Sequence, residues 1–167
     1  MVQRRALGPD RADLVSASLA DWLADAIGHR PGEPALFELA LTHASRSEEN
    51  YERLEFLGDR VLGLAIAAWL YELFAGEPEG KLSGRLNVLV SPATCAEIAR
   101  DLALPERMGL GKQARKDGAS DSDNVLGDVV EALIGALYLE GGLEPARDFI
   151  RSAWGDRVST RDKAPKH

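Results

Sequence analysis

The chain carries the sequence ERLEFLGD at residues 52–59, followed by an uncharged apolar run. An α-helix turns about 100° per residue, so Glu52, Glu55 and Asp59 fall within about 60° of one another on one face. The apolar run predicts that this helix extends over about 52–74 and is central and buried. Three acids at the start of such a helix repel one another, and burying any of them is unfavourable unless its charge is compensated.

A second sequence, GDVVEALIG at residues 127–135, has the same character. It lies in a helix predicted over about 124–140. Asp128 and Glu131 are three residues apart and therefore share a face, while the surrounding positions are apolar. The apolar composition again predicts a buried helix, and no lysine or arginine lies near the two acids in this sequence.

Two glycines predict how these helices meet. Gly63 and Gly135 each lie one turn past the acids of their helix, so the two backbones can approach closely there. We expect this approach to gather four carboxylates, those of Glu55, Asp59, Asp128 and Glu131. Such a cluster cannot remain ionised and dry without a cation, and oxygen ligands suit Mg²⁺ or Mn²⁺. A metal with water-filled positions activates water and stabilises a phosphate leaving group.

A simpler interpretation is that the acids stabilise helix N-termini. Glu52 and Asp128 fall in first turns, where the helix dipole favours negative charge. This interpretation explains those two acids well. It explains Asp59 poorly, because Asp59 lies two turns into its helix.

The remaining sequence predicts further helices and no sheet. Gly28 ends a first helix, and Pro34 begins a second. Further helices are predicted over about 82–90, 92–104 and 145–154. The segment 109–123 has no apolar periodicity and predicts a long loop, a feature often functional or disordered. We therefore expect an all-α fold, a compact helical bundle, in one domain over 1–158 with a polar linker or disordered tail over 159–167.

Composition excludes several classes of protein. The single cysteine, Cys95, cannot form a disulfide framework, and three histidines far apart in sequence do not indicate a metal cage. The longest uncharged apolar run, 61–71, is too short to span a membrane, and we see no secretory signal, so the expected compartment is the cytoplasm and no membrane partner is expected. The net charge of −7 argues against a generally basic nucleic-acid surface.

The two acidic sequences resemble the endonuclease domain of the ribonuclease III family. ERLEFLGD at 52–59 resembles the family signature, and GDVVEALIGALYL at 127–139 resembles its second acidic helix. The motifs Leu41-Thr42-His43 and Glu79-Gly80-Lys81-Leu82-Ser83 also match. The resemblance extends over about residues 10–155, nearly the whole chain.

This resemblance implies an all-α, two-fold homodimer that cleaves double-stranded RNA with Mg²⁺, and with Mn²⁺ as well. The products would carry 5′-phosphate and 3′-hydroxyl ends, as in RNA processing. The four matched acids, Glu55, Asp59, Asp128 and Glu131, would hold the metal. Of these, Asp59 and Glu131 would be the residues on which catalysis depends most.

Other matched positions carry lesser expectations. Glu52 and Glu79 match auxiliary acids near the RNA and the metal, and Phe56 would pack into the partner subunit at the dimer interface. Tyr51 stands where the family usually has Asn, and Arg60 where it usually has Ser. Neither position is a metal ligand in the resemblance. Bacterial members usually continue into a double-stranded-RNA-binding domain, whereas this sequence stops in what resembles the linker, as expected either of a shortened chain or of a member that lacks that domain.

Two other functions remain open at this point. An all-helical, metal-dependent nucleoside-triphosphate pyrophosphatase also pairs acids at i, i+3 on two helices, and it hydrolyses a small nucleotide. A catalytically silent RNA-binding or assembly module is the third possibility, although retention of all four acids argues against it. Incubation with duplex RNA, with and without Mg²⁺, distinguishes the three.

Overall fold

A computed structural model describes residues 11–161, and over this span the chain is mainly helical. Residues 1–10 and 162–167 lie outside the described part, and with them most of the predicted tail. The described residues form the following α-helices: α1 (Arg11–Ile27), α2 (Pro34–Ala40), α3 (Glu52–Leu73), α4 (Glu79–Leu89), α5 (Pro92–Asp101), α6 (Lys112–Lys116), α7 (Asp123–Gly141), α8 (Leu143–Trp154) and α9 (Arg157–Thr160). Between 11 and 161 no strand forms, and the predicted all-α fold is confirmed.

The centre of the bundle is α7, against which α3, α5 and α8 pack. Every residue from 129 to 137 is buried, as expected of a helix that is apolar on all sides. The expectation that α3 is buried all round was wrong. One of its sides is exposed, with Phe56 61% and Tyr71 75% accessible. The long apolar run of α3 therefore covers α7 on one side and leaves an apolar surface on the other.

The two helices cross in contact at Gly58 and Gly135. A Cβ atom on Gly58 would lie 1.6 Å from the carbonyl oxygen of Glu131, and one on Gly135 would lie 2.3 Å from that of Leu54. Gly63, which the sequence indicated for this role, has open space where its Cβ would be. The difference comes from the positions of the two glycines around the axis of α3. Gly58 lies about 60° from Glu55 in the direction of the apolar face that packs on α7, whereas Gly63 lies about 80° from Glu55 in the opposite direction, past Glu52 and Asp59.

Some helix ends differ from the predicted ones, and one start agrees with its prediction. Helix α4 begins at Glu79, directly after Pro78, which is three residues earlier than predicted. Helix α5 begins as expected at Pro92, where the Ser91 hydroxyl accepts a hydrogen bond from Thr94 N. It ends at Asp101, and a 3₁₀ turn follows over Leu104–Glu106.

The predicted loop over 109–123 is partly ordered into a short helix and a turn. Helix α6 occupies Lys112–Lys116, and a 3₁₀ turn covers Ala119–Asp121. A five-residue helix has too few positions to show apolar periodicity, which is why the sequence pattern missed it. The segment is fixed at its start by a parallel bridge between Thr42 and Gly109.

The last helix, α9, runs through Thr160, past the boundary predicted at 158. It is tied to α5 by ion pairs, in which Arg157 contacts Glu97 at 3.2 Å and Asp101 at 2.9 Å. Arg161 contacts the same Glu97 at 2.7 Å. Among residues 11–161 no helix combines the length and apolar character that crossing a membrane requires.

Candidate metal centre

The acidic cluster forms where the first turns of α3 face the second and third turns of α7. Carboxylate oxygens of Glu55, Asp128 and Glu131 all lie within 4.8 Å of one another. Ser122 is the N-cap of helix α7, and its hydroxyl accepts a hydrogen bond from Val125 N. The crossing at Gly58 then holds the backbone of Glu131 directly against α3. Three of the four acids predicted to gather therefore lie together, and Asp59 is not among these three.

The cluster is electrostatically unfavourable without a cation. Glu131 is 8% exposed and is the one buried charged side chain among the residues whose burial is described. Burial, together with the neighbouring Glu55 and Asp59 carboxyls, raises its pKa well above the ordinary value of a glutamate. Burial and the charge of Glu55 raise the pKa of Asp128 to about 6. Oxygen ligands in this arrangement fit a divalent cation, whose charge would take the place of the retained protons.

Asp59 lies at the open edge of the cluster. Its side chain is 46% exposed, and it faces Glu131, whose pKa it helps to raise. Its Oδ2 accepts a hydrogen bond of 3.3 Å from Arg60 Nη1, and the Arg60 guanidinium also stacks over Phe56 at 4.0 Å from the ring centroid. An exposed ion pair of this kind contributes little free energy, so it does not hold Asp59 away from a cation.

The two auxiliary acids lie in different places. Glu52 is exposed in the first turn of α3 and is close enough to raise the pKa of Asp128. Glu79 begins α4 and lines a separate groove with Leu70 and Tyr71. Leu70 is fifteen residues past Glu55, about 22 Å along the helix axis. The structure therefore places Glu52 beside the cluster and does not bring Glu79 to it.

Sequence reasoning gave Tyr51 no role at the metal centre, but the structure places it there. Tyr51 is buried, and its hydroxyl donates a hydrogen bond of 3.5 Å to Asp128 Oδ2. The sequence contained a usable signal, because Tyr51 precedes Glu55 by four residues and therefore lies on the same side of the helix. Burial and the charge of Asp128 raise the pKa of the phenol, so it remains protonated and acts as a donor.

Phe56 stands exposed beside an apolar recess of about 630 Å³. Helices α2, α3 and α7 contribute its walls, which include Leu36, Leu39, Leu57 and Leu139. A large exposed aromatic next to an apolar recess is typical of a protein interface.

Metal binding should be measurable as stabilisation of the fold. A cation at 100 times its Kd adds about 2.7 kcal/mol to the free energy of unfolding if it binds only the folded state. We expect Mg²⁺, Mn²⁺ and Ca²⁺ each to raise the melting temperature relative to EDTA, as followed by circular dichroism. Asp128→Asn should lose this increase, and Glu79→Gln, whose side chain lies away from the cluster, should retain it. Equal melting temperatures with EDTA and with millimolar metal would contradict the assignment.

Comparison with known proteins agrees with the geometry. The ribonuclease-III-like family model matches residues 33–156. Ribonuclease 3 of Zymomonas mobilis is 60% identical over 146 residues, covering 87% of this chain and 59% of that protein. Ribonuclease 3 of Bartonella tribocorum is 48% identical over 147 residues, covering 86% of this chain and 63% of that protein. The chain thus spans about three fifths of the length of these relatives.

Solved structures show the same similarity. The nuclease domain of ribonuclease III from Campylobacter jejuni superposes with a TM-score of 0.79 at 32% identity, covering 84% of this chain and 96% of that domain. Dicer from Pichia stipitis superposes with a TM-score of 0.60 at 28% identity, covering 77% of this chain and 57% of that one. The resemblance found in the two acidic sequences is confirmed, and the chain belongs to the ribonuclease-III-like family.

Proposed function

We propose that this chain is the catalytic part of a metal-dependent endoribonuclease that cleaves double-stranded RNA in the cytoplasm to 5′-phosphate and 3′-hydroxyl ends. The observation that carries the proposal is the cluster of Glu55, Asp128 and Glu131, whose carboxylate oxygens lie within 4.8 Å of one another. Relatives named ribonuclease 3 support it. No observation favours a pyrophosphatase or a silent module.

The proposed cofactor is Mg²⁺, for which Mn²⁺ can substitute. Glu55, Asp59, Asp128 and Glu131 would hold it, and when bound it supplies an activated water and neutralises charge on the leaving oxygen. The chain positions these ligands on two helices that pack without side chains between them at Gly58 and Gly135. Asp59 and Glu131 are the proposed catalytic pair, with Glu52 and Glu79 as auxiliary acids near the RNA.

Helix α6 presents a group of positive charges that could contact RNA phosphates. Lys112, Arg115 and Lys116 are exposed on α6, next to the Thr42–Gly109 bridge. Each phosphate contact adds about 0.7–0.9 to the slope of log affinity against log salt. Because the chain carries a net charge of −7, we expect it to bind duplex RNA weakly. We also expect little sequence preference, since A-form duplexes are recognised mainly by shape.

The proposal includes a two-fold homodimer. One subunit offers one acidic cluster and thus cuts one strand, so cleavage of both strands requires a second cluster related by symmetry. Phe56 and the adjacent apolar recess provide a self-complementary contact. A second Campylobacter jejuni nuclease-domain structure, similar with a TM-score of 0.78, is described as flexible in a region involved in dimer formation, which supports the same assembly here.

Phe56→Asp should convert the dimer into a monomer, because a charge at the centre of an apolar contact must be desolvated. Light scattering should give a dimer mass for the wild type and a monomer mass for the variant at micromolar concentration. Phe56→Leu, which keeps an apolar side chain at the same position, should dissociate less. A wild-type protein that is monomeric at this concentration would contradict the proposed assembly.

The activity is tested directly with labelled duplex RNA. We expect cleavage with Mg²⁺ or Mn²⁺ and none in EDTA, and we expect Ca²⁺ to support binding without turnover. Nucleoside triphosphates offered under the same conditions serve as the control for pyrophosphatase activity. Hydrolysis of triphosphates without RNA cleavage would overturn the proposal in favour of that alternative.

A further inference from the structure

We propose that Tyr51 is a positioning residue of the metal centre, which holds the Asp128 carboxylate through its phenol hydroxyl. The inference rests on the proposed metal site and adds to it a residue from outside the four acids. A residue of this kind acts on the metal through its ligand.

The backbone and ring of Tyr51 are fixed independently of Asp128. Its amide donates a hydrogen bond of 2.9 Å to Thr42 O, and its carbonyl accepts one of 2.9 Å from Glu55 N at the start of α3. The ring packs edge-on against His43, with 5.8 Å between centroids and an interplanar angle of 71°. With the side chain 5% exposed, the phenol has a defined location before any partner of its hydroxyl is considered.

The hydroxyl is aimed at one carboxylate oxygen. Among the described residues its hydrogen-bond partner is Asp128 Oδ2, 3.5 Å away. That distance exceeds the roughly 2.5–3.0 Å usual for an O–H···O bond, so the hydroxyl and the carboxylate must approach further for the bond to become a strong one. A buried hydroxyl without a partner is unfavourable by about 1–3 kcal/mol, so the pairing satisfies Tyr51 as well as Asp128.

The consequence for the metal centre follows from the two oxygens of Asp128. Its side chain leaves α7 beside Glu55 and Glu131, and repulsion from the Glu55 carboxylate favours rotation away from the cluster. With Oδ2 held by the phenol, that rotation is restricted and Oδ1 remains free to bind a cation. Hydrogen-bond partners behind metal ligands commonly change metal affinity by about 10- to 100-fold when removed.

The first experiment is Tyr51→Phe, which keeps the ring and removes the hydroxyl. We expect Mn²⁺ affinity, measured by titration calorimetry on the whole chain, to weaken about tenfold. The matched control is Tyr71→Phe, on the same helix but 75% exposed, which should leave the affinity unchanged. A weakening of threefold or more, absent in the control, supports the proposal, and a smaller one overturns it. Loss of the helical circular dichroism spectrum would show a purely structural role and would also overturn it.

The second experiment separates this proposal from that of the metal site. Urea unfolding in EDTA is compared for Tyr51→Phe, Asp128→Ala and the double variant. If the hydroxyl acts on Asp128, Tyr51→Phe should lower the unfolding midpoint of the wild type but leave that of Asp128→Ala unchanged or higher, because the buried hydroxyl has lost its partner there. An equal shift in both backgrounds would overturn the contact. Wild-type protein that binds no Mn²⁺ would instead refute the proposed function, whatever the unfolding cycle shows.

Discussion

Glu131→Gln is expected to lower duplex-RNA cleavage about a thousandfold or more while leaving the metal-free protein at least as stable as the wild type. A thousandfold corresponds to roughly 4 kcal/mol of transition-state stabilisation, within what an electrostatic contact at a metal site supplies. The stability is preserved because glutamine has the shape of the protonated glutamate, the form that burial and the neighbouring acids already favour.

The same variant should change how stability depends on pH. Burial and neighbouring acids raise the folded-state pKa of Glu131 above its unfolded value of about 4.5, so the native state binds more protons than the unfolded chain above that pH. The metal-free wild type should therefore lose stability as pH rises from about 4.5 through neutrality, and Glu131→Gln should flatten this decline. Melting temperatures in EDTA across this range measure both effects. Undiminished cleavage by Glu131→Gln would refute its catalytic role.

Gly58→Ala is expected to lower the free energy of unfolding by more than about 3 kcal/mol, a large share of the 5–15 kcal/mol typical of a domain. The added Cβ would lie 1.6 Å from the Glu131 carbonyl oxygen, and a backbone atom cannot move aside as the end of a flexible side chain can. The helices must separate instead. Pushing the Glu131 carbonyl away from α3 also moves the Glu131 carboxylate away from Glu55, so the stabilisation of the fold by Mg²⁺ should be lost as well.

Gly63→Ala provides the matched control on the same helix. It adds the same methyl group where nothing lies within 4 Å, and replacing a mid-helix glycine by alanine favours the helix by about 0.5–1 kcal/mol. Urea unfolding should therefore show a lower free energy of unfolding for Gly58→Ala and a higher one for Gly63→Ala, each relative to the wild type. If Gly58→Ala were as stable as Gly63→Ala, the close crossing of α3 and α7 would be wrong.

Sequence periodicity predicted the two acidic helices to within one residue of their observed ends. Helix α3 was expected over 52–74 and covers Glu52–Leu73, and α7 was expected over 124–140 and covers Asp123–Gly141. Both are long and strongly apolar, so their pattern is repeated over several turns. The expectation that acids of the two helices gather came from their spacing on one face of each helix, and three of the four, Glu55, Asp128 and Glu131, lie together.

The features that were missed depend on rotation and on long-range contacts. Periodicity showed that a glycine allowed a close crossing, but which glycine depends on how far α3 is turned about its axis, and Gly58 rather than Gly63 is in contact. The contact between Tyr51 and Asp128 joins residues 77 positions apart, which no local pattern contains. Helix α6 was missed because five residues complete little more than one turn.

The contact between Gly58 and the Glu131 carbonyl also limits which substitutions the sequence can accept during evolution. In most enzymes a substitution can damage the fold and spare the reacting groups, or the reverse, so the two properties can drift apart. Here one residue takes part in both, because the backbone carbonyl of Glu131 lies at the crossing of the two helices and its side chain is an acid of the cluster. A library of random variants sorted only for correct folding would therefore keep Gly58 and the close crossing that places positions 55 and 131 side by side, although such sorting does not by itself retain the acidic side chains.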